Sequence, residues 1–180
     1  MIAWRNTPAR WGLVARTLHW AVAAFVVGQF VTGWLAETTA DRDASFGLIR
    51  THFQAGMTLL GLIVLRVLWR LSTRPPAQSP TREVASIAAV AVHGMLYGLL
   101  LVLPISGYLI WVHMDADMKV LGLVEIPRLL TPNPDDERLR AAAWHVHYAA
   151  GWALAGLTLL HIAAAAWHGI RRDGVLSRMV

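Results

Sequence analysis

The chain alternates four long apolar stretches with shorter polar connections. The apolar stretches cover residues 17–36, 49–70, 84–112 and 141–168. Each is long enough for an α-helix to cross the apolar core of a bilayer, which is about 30 Å thick and needs about 20 residues. The pattern therefore predicts an all-α integral membrane protein, a bundle of four transmembrane helices formed by one domain over residues 1–180.

The connections carry turn and chain-break residues. We expect a polar loop at 37–47 and a proline-rich connection at 72–82, because proline cannot continue a helix. The longest connection, 115–140, contains an apolar run at 120–130 that we expect to form a short interfacial helix. The first apolar stretch is longer than a signal-peptide core, so we expect it to remain as a span.

The charged residues predict an orientation in the membrane. With both termini inside, the inner segments hold ten Lys/Arg and two acids, and the outer loops hold six Lys/Arg and nine acids. The positive-inside rule then places both termini in the cytoplasm. The net charge of +5 needs no nucleic-acid partner, because the basic residues lie at the ends of apolar runs.

The two halves of the chain resemble each other. The second helix reads HFQAGMTLLGL from His52, and the fourth reads HYAAGWALAGL from His147. In the first and third helices, His19 and His93 are each followed 14 residues later by a GWL or GYL motif. The chain is therefore predicted to be a pseudo-twofold repeat of helical hairpins, related by an axis along the membrane normal.

Glycines follow the histidines of the second and fourth helices one turn later, at Gly56 and Gly151. A missing side chain at these positions would let a flat cofactor approach the backbone. Close packing of a neighbouring helix is the other explanation.

The spacing of two histidines in the fourth helix is the most informative chemical feature. His147 and His161 are 14 residues apart, which places them near one helix face and about 21 Å apart along the axis. Ionisable groups inside spans are costly to bury and are functional by default. Their expected partners are His52 at the outer level and His19 at the inner level. His113 and His145 do not share a face with a second histidine at the other level, so their roles stay open.

Two facing imidazoles at each level suit a haem iron. The chain has no cysteine, which excludes iron–sulfur clusters and covalent c-type haem. Zinc is an alternative, but each level lacks the carboxylates or thiols that would complete a tetrahedral site. A purely structural network of buried histidines is the remaining alternative.

Three further residues are candidates for cofactor or substrate contacts. Arg66 lies 14 residues after His52, and we expect it either to bind a haem propionate or to extend to the inner interface. His93 could contact a propionate or a quinone, or form a helix–helix hydrogen bond. His168 lies seven residues after His161 on the same face; it could contact an amphipathic substrate, or be an interfacial histidine without a role.

The sequence resembles the bacterial cytochrome b561 family, the small four-helix, di-haem b type. The resemblance rests on LHW around His19, H-x-x-x-G after His52, VLRVLWR around Arg66, LP-x-x-G at 103–107, and HIAAAAWH from His161. It covers nearly the whole chain. It implies a protein of the bacterial inner membrane with two haem b groups, one held by His19 and His161 on the cytoplasmic side and one by His52 and His147 on the periplasmic side.

Within that family the sequence is similar to superoxide:ubiquinone oxidoreductases, in which superoxide is oxidised outside and ubiquinone is reduced in the membrane. By position, His168 resembles a quinone-site residue. Candidates for a cationic superoxide entrance are Lys119, Arg128 and Arg140, although the outer loops are net acidic. The alternatives are a membrane-anchor subunit that passes electrons between quinone and a partner dehydrogenase or cytochrome, and a helical transporter or scaffold without redox chemistry.

Overall fold

The computed structural model describes residues 3–76, 83–114, 119–120, 123–131 and 137–179, with the side chains of 83–86 excepted. It contains four long helices: α1 Leu13–Thr38, α2 Arg42–Ser72, α3 Glu83–Val112 and α4 Glu137–Arg171. All four are long and apolar enough to cross a membrane, with mean hydropathies of 1.4, 1.5, 2.0 and 1.6. The predicted class, an all-α membrane protein with four spans, is confirmed.

The helices extend beyond their apolar stretches, so the predicted polar loop at 37–47 is wrong. Only residues 39–41 connect α1 and α2. The side chain of Asp41 caps α2 by accepting a hydrogen bond from the backbone N–H of Asp43 at 3.0 Å. Hydropathy marks where a chain leaves the apolar layer, whereas a helix continues until its backbone is capped.

The predicted interfacial helix at 120–130 is also wrong. The described part of this segment contains a short antiparallel hairpin of β1, Lys119–Val120, and β2, Val124–Glu125. Valine is a β-branched residue that favours strands over helices, which agrees with the hairpin. Residues 77–82 of the proline-rich connection and 132–136 of the turn-rich segment lie outside the described residues.

The helices pack as two hairpins. α1 packs along α2, α3 packs along α4, and α2 also contacts α3. Within the described ranges, no Cα atom of α4 lies within 8 Å of a Cα atom of α1 or α2. Side chains such as Val22, Ile63 and Leu154 form the central core between these elements. The backbone spacing leaves room for side chains or a cofactor between α4 and the first hairpin.

Many large apolar side chains on the four spans point away from the bundle. Leu65 of α2 is 56% exposed, and Leu159 and Ile162 of α4 are 68% and 56% exposed. Such a surface would be an extensive apolar patch in water, whereas lipid would cover it in a bilayer.

Both ends of the described chain meet at one end of the bundle. A 3₁₀ helix, η1 (Leu176–Arg178), follows α4. The backbone N–H of Trp11 donates to the Arg178 carbonyl at 3.3 Å, and Trp20 Nε1 donates to the Met179 carbonyl at 3.4 Å. We call this the terminal end. The opposite end, with the α1–α2 connection and the β-hairpin, is the loop end.

Candidate functional site

The loop end holds a pair of facing imidazoles. The ring centroids of His52 in α2 and His147 in α4 are 6.0 Å apart, with the ring planes at 69°. Among the described residues, no Cα atoms of these two helices lie within 8 Å of each other. The histidine pair therefore spans the gap between the two hairpins.

Each ring of this loop-end pair is held through its Nδ1 atom by the other helix of its own hairpin. His52 Nδ1 lies 3.1 Å from the Gln29 carbonyl and 3.2 Å from Thr32 Oγ1. A carbonyl can only accept, so Nδ1 carries the proton and donates it. Nε2 then has a free lone pair. This tautomer of the imidazole can bind a metal through Nε2.

His147 has the matching environment in the second hairpin. Its Nδ1 lies 3.0 Å from the Leu103 carbonyl and 3.0 Å from Ser106 Oγ. Leu103 lies 74 residues after Gln29, and Ser106 lies 74 residues after Thr32. The repeat therefore reproduces both contacts. The sequence repeat is thus also a repeat of side-chain geometry.

Two glycines provide the space for these rings. A Cβ atom at Gly33 would lie 3.3 Å from Cε1 of His52, and a Cβ atom at Gly107 would lie 3.3 Å from Cε1 of His147. Gly56 and Gly151, where the sequence predicts the close approach of a flat cofactor or of a neighbouring helix, have different surroundings. A Cβ at Gly56 would meet Gln29 Nε2 at 3.3 Å, while one at Gly151 would meet nothing within 4 Å. Gly56 therefore serves helix packing.

The terminal end holds a second imidazole cluster. The ring of His161 in α4 lies 6.2 Å from that of His19 in α1, at 77°. It also lies 5.4 Å from the ring of His93 in α3. His93 Nδ1 contacts the Ala89 carbonyl of its own helix at 2.6 Å. Two imidazoles therefore flank His161, and the distances alone do not favour His19.

Arg66 lies in α2 at the level of this cluster and contacts α3. Its Nε donates to Tyr97 Oη at 2.9 Å, and its guanidinium lies 5.8 Å from the centre of the Tyr97 ring. One guanidinium nitrogen, Nη1, is buried without a hydrogen-bond partner among the described residues. A buried charged donor without a partner is costly, so this atom is suited to an acceptor such as a carboxylate.

The two histidine pairs fit a haem group. Two metal–nitrogen bonds of about 2 Å each, together with the radii of two imidazoles, place ring centres about 6 Å apart. The observed separations are 6.0 Å and 6.2 Å. In the described part of the chain, no group of three or more His, Cys, Asp or Glu residues is arranged to hold a metal ion.

The chain is similar to known proteins over most of its length. Residues 10–180 match the family described as prokaryotic cytochrome b561. The chain belongs to this family. It is 31% identical over 182 residues to cytochrome b561 homolog 2 of Escherichia coli K12, covering 99% of this chain and 95% of that protein. It is 28% identical over 168 residues to cytochrome b561 homolog 1 of the same organism, covering 91% and 92%.

As a cytochrome b561, the chain is a multi-pass membrane protein of a family that binds b-type haem and transfers electrons. The predicted resemblance to this family is confirmed.

The candidate superoxide-entrance residues do not form an isolated cationic cluster. Lys119 is paired with Glu125 in the register of the β-hairpin. Arg140 forms a 2.9 Å ion pair with Glu137 one turn away. Arg128 lies in the segment after β2. Acidic partners thus accompany two of the three cations.

His113 has a local environment of its own. His113 Nδ1 contacts the Leu109 carbonyl of its own helix at 2.7 Å. No contact between this ring or that of His145 and another imidazole is present among the described residues. Neither residue belongs to either of the two histidine clusters.

His168 at the end of α4 has a partner that the sequence did not indicate. Its Nδ1 lies 2.6 Å from Asp173 Oδ2. Tyr97 and the residues that hold the loop-end imidazoles were also missed. The signal that could have found the latter was the 74-residue offset, because it pairs Thr32 with Ser106 and Gly33 with Gly107.

Proposed function

We propose that this cytochrome b561 transfers electrons across the bilayer, from superoxide at the loop end to ubiquinone at the terminal end. The observation that carries the proposal is the presence of two facing imidazole pairs at two depths of the bundle. Both pairs include a residue of α4, so this one helix forms a wall of both sites.

His52 and His147 would hold one haem b, and His19 and His161 would hold the other. When bound, haem supplies one-electron redox chemistry, which the side chains of this protein lack. The chain itself sets ligand tautomers through the Nδ1 contacts of the loop-end pair. The buried Nη1 atom of Arg66 would donate a hydrogen bond to a haem propionate at the terminal end.

The positive-inside charge distribution supports a terminal end that faces the cytoplasm and a loop end that faces the periplasm of a bacterial inner membrane. In this orientation, two superoxide anions would each lose one electron and leave as O₂. The two electrons and two protons convert one ubiquinone to ubiquinol. His168, at the terminal end of α4, would contact the quinone.

The test uses purified protein reconstituted with haem. With a steady source of superoxide, the protein should be reduced faster without superoxide dismutase than with it. A short-chain ubiquinone should then reoxidise the reduced protein. A reduced-minus-oxidised spectrum with a b-type band and about two haems per chain is the expected starting material. Failure of superoxide to reduce such material would remove superoxide as the donor.

The ion pairing at the loop end favours a second candidate function. Glu137 beside Arg140 and Glu125 opposite Lys119 lower the local positive charge that would attract an anion. The same mixed surface could bind a partner dehydrogenase or cytochrome, with this chain as the membrane anchor that exchanges electrons with quinone. Quinone-dependent reoxidation without superoxide-dependent reduction would favour this candidate.

A further inference from the structure

The chain reverses direction immediately after α4, and the turn places a carboxylate against the last histidine of the helix. Arg172 and Gly174 both have positive φ angles, 51° and 84°. The backbone N–H of Arg172 donates to the Gly169 carbonyl at 3.2 Å, which closes the helix. Asp173, between these two residues, therefore lies beside the helix that it follows.

Both carboxylate oxygens of Asp173 have partners. Oδ2 accepts a hydrogen bond from His168 Nδ1 at 2.6 Å, and Oδ1 accepts one from the backbone N–H of Val175 at 3.1 Å. The second bond fixes the carboxylate in the turn. The hydrogen bond from His168 also lowers the pKa of the Asp173 carboxyl below its ordinary value, so Asp173 stays ionised at neutral pH.

The contact determines which nitrogen of His168 is available. A carboxylate only accepts, so the proton lies on Nδ1, and Nε2 has no hydrogen-bond partner among the described residues. The side chain is 34% exposed. A ring held by a carboxylate at one nitrogen presents the other nitrogen in a fixed direction, and the carboxylate stabilises the protonated ring.

We propose that Asp173 is a positioning residue for quinone reduction: it orients His168 and stabilises its imidazolium, so that Nε2–H protonates a quinone oxygen. This inference rests on the proposed function, because it needs a quinone at the terminal end. It adds a residue and a proton source to that site.

The reaction balances with one quinone, two electrons and two protons. The electrons come from the reduced protein and enter the quinone ring. One proton leaves Nε2 of His168 and forms an O–H bond on the quinone oxygen that it faces, and the second proton comes from the aqueous phase to the other oxygen. The neutral ring then takes up a proton from the aqueous phase, and Asp173 keeps its negative charge throughout.

The experiment follows reoxidation of the dithionite-reduced, haem-loaded protein by a short-chain ubiquinone in a stopped-flow instrument. It compares wild type with Asp173→Asn, Asp173→Glu, His168→Gln and the double variant His168→Gln/Asp173→Asn. Asp43→Asn, at the loop end, is the control for loss of one carboxylate. The visible spectrum of each variant verifies unchanged haem content before its rate is measured.

Asp173→Asn should lower the rate at saturating quinone by about tenfold to a hundredfold, with little change in the half-saturating quinone concentration. Asp173→Glu should recover part of the rate. The double variant should be no slower than His168→Gln, since both residues act through one ring.

The inference is overturned if Asp173→Asn is reoxidised at the wild-type rate, or if the two substitutions have additive effects. A wild-type protein that ubiquinone does not reoxidise at all would instead remove the proposed quinone reaction, and this inference with it. The two failures are distinguished by the wild-type trace alone.

Discussion

The rings of His52 and His147 lie 6.0 Å apart although 95 residues separate them in the chain. Each ring is fixed by a hydrogen bond that its Nδ1 donates to its own hairpin, His52 to α1 and His147 to α3. The two hairpins therefore bring one preoriented imidazole each to the same place.

Removing a ligand at one level should remove one haem and leave the other. We expect His161→Ala to lower the haem-to-protein ratio from about two to about one, because the loop-end pair does not involve this residue. Pyridine haemochrome assay and redox titration measure the ratio and the surviving component. His113→Ala is the control and should keep both haems. Loss of both haems in His161→Ala would contradict the expectation that the two sites bind haem independently.

The two imidazoles beside His161 can be distinguished by substitution. The family resemblance implies His19 as the ligand, so His19→Ala should lose the terminal-end haem and His93→Ala should retain it. Low-spin electron paramagnetic resonance signals report whether both haems keep two histidine ligands. The opposite result would assign the ligand to His93, whose ring is nearer to His161.

The glycine beside His147 should be intolerant of larger residues. Gly107→Leu should displace the ring and abolish the loop-end haem, because even a Cβ atom would lie 3.3 Å from Cε1 of His147. Gly47→Leu is the matched control, since a Cβ at that position meets nothing within 4 Å. The visible spectrum and haem ratio of both variants measure the effect. Equal haem content in the two variants would show that the ring has room to move.

The charge of Arg66 should raise the midpoint potential of the terminal-end haem. Arg66→Gln should lower its midpoint potential by several tens of millivolts, because a nearby positive charge favours the reduced state. Tyr97→Phe removes the Nε hydrogen bond and keeps the charge, so it should change the potential much less. Potentiometric titration measures both. A larger shift in Tyr97→Phe would mean that the hydrogen bond, and not the charge, is what matters.

Ionic strength provides a test of the superoxide entrance. If Arg140 attracts the anion, Arg140→Gln should slow reduction by superoxide about twofold or more at low salt. Glu137→Gln should accelerate it, because the acidic partner at 2.9 Å is removed. Both effects should disappear at high salt. Rates that do not depend on salt or on these two residues would favour a protein donor.

Much of the architecture could be predicted from the sequence because it depends on composition and period. A bilayer needs about 20 apolar residues per span, so the four stretches indicated the four helices. The helical period placed His147 and His161 on one face at two depths. The depths of the other histidines in their spans indicated His52 and His19 as partners. These are local or nearly local properties, which a linear pattern records.

The tertiary structure decided what depends on contacts between distant residues. The start of α2 was set by capping at Asp41 and not by hydropathy. The Nδ1 contacts of the loop-end imidazoles and the position of His93 beside His161 arise from packing between helices. The reversal after α4 that joins Asp173 to His168 depends on two positive φ angles. Sequence spacing within one helix predicts which residues share a face, but only the packed bundle determines which partners each face meets.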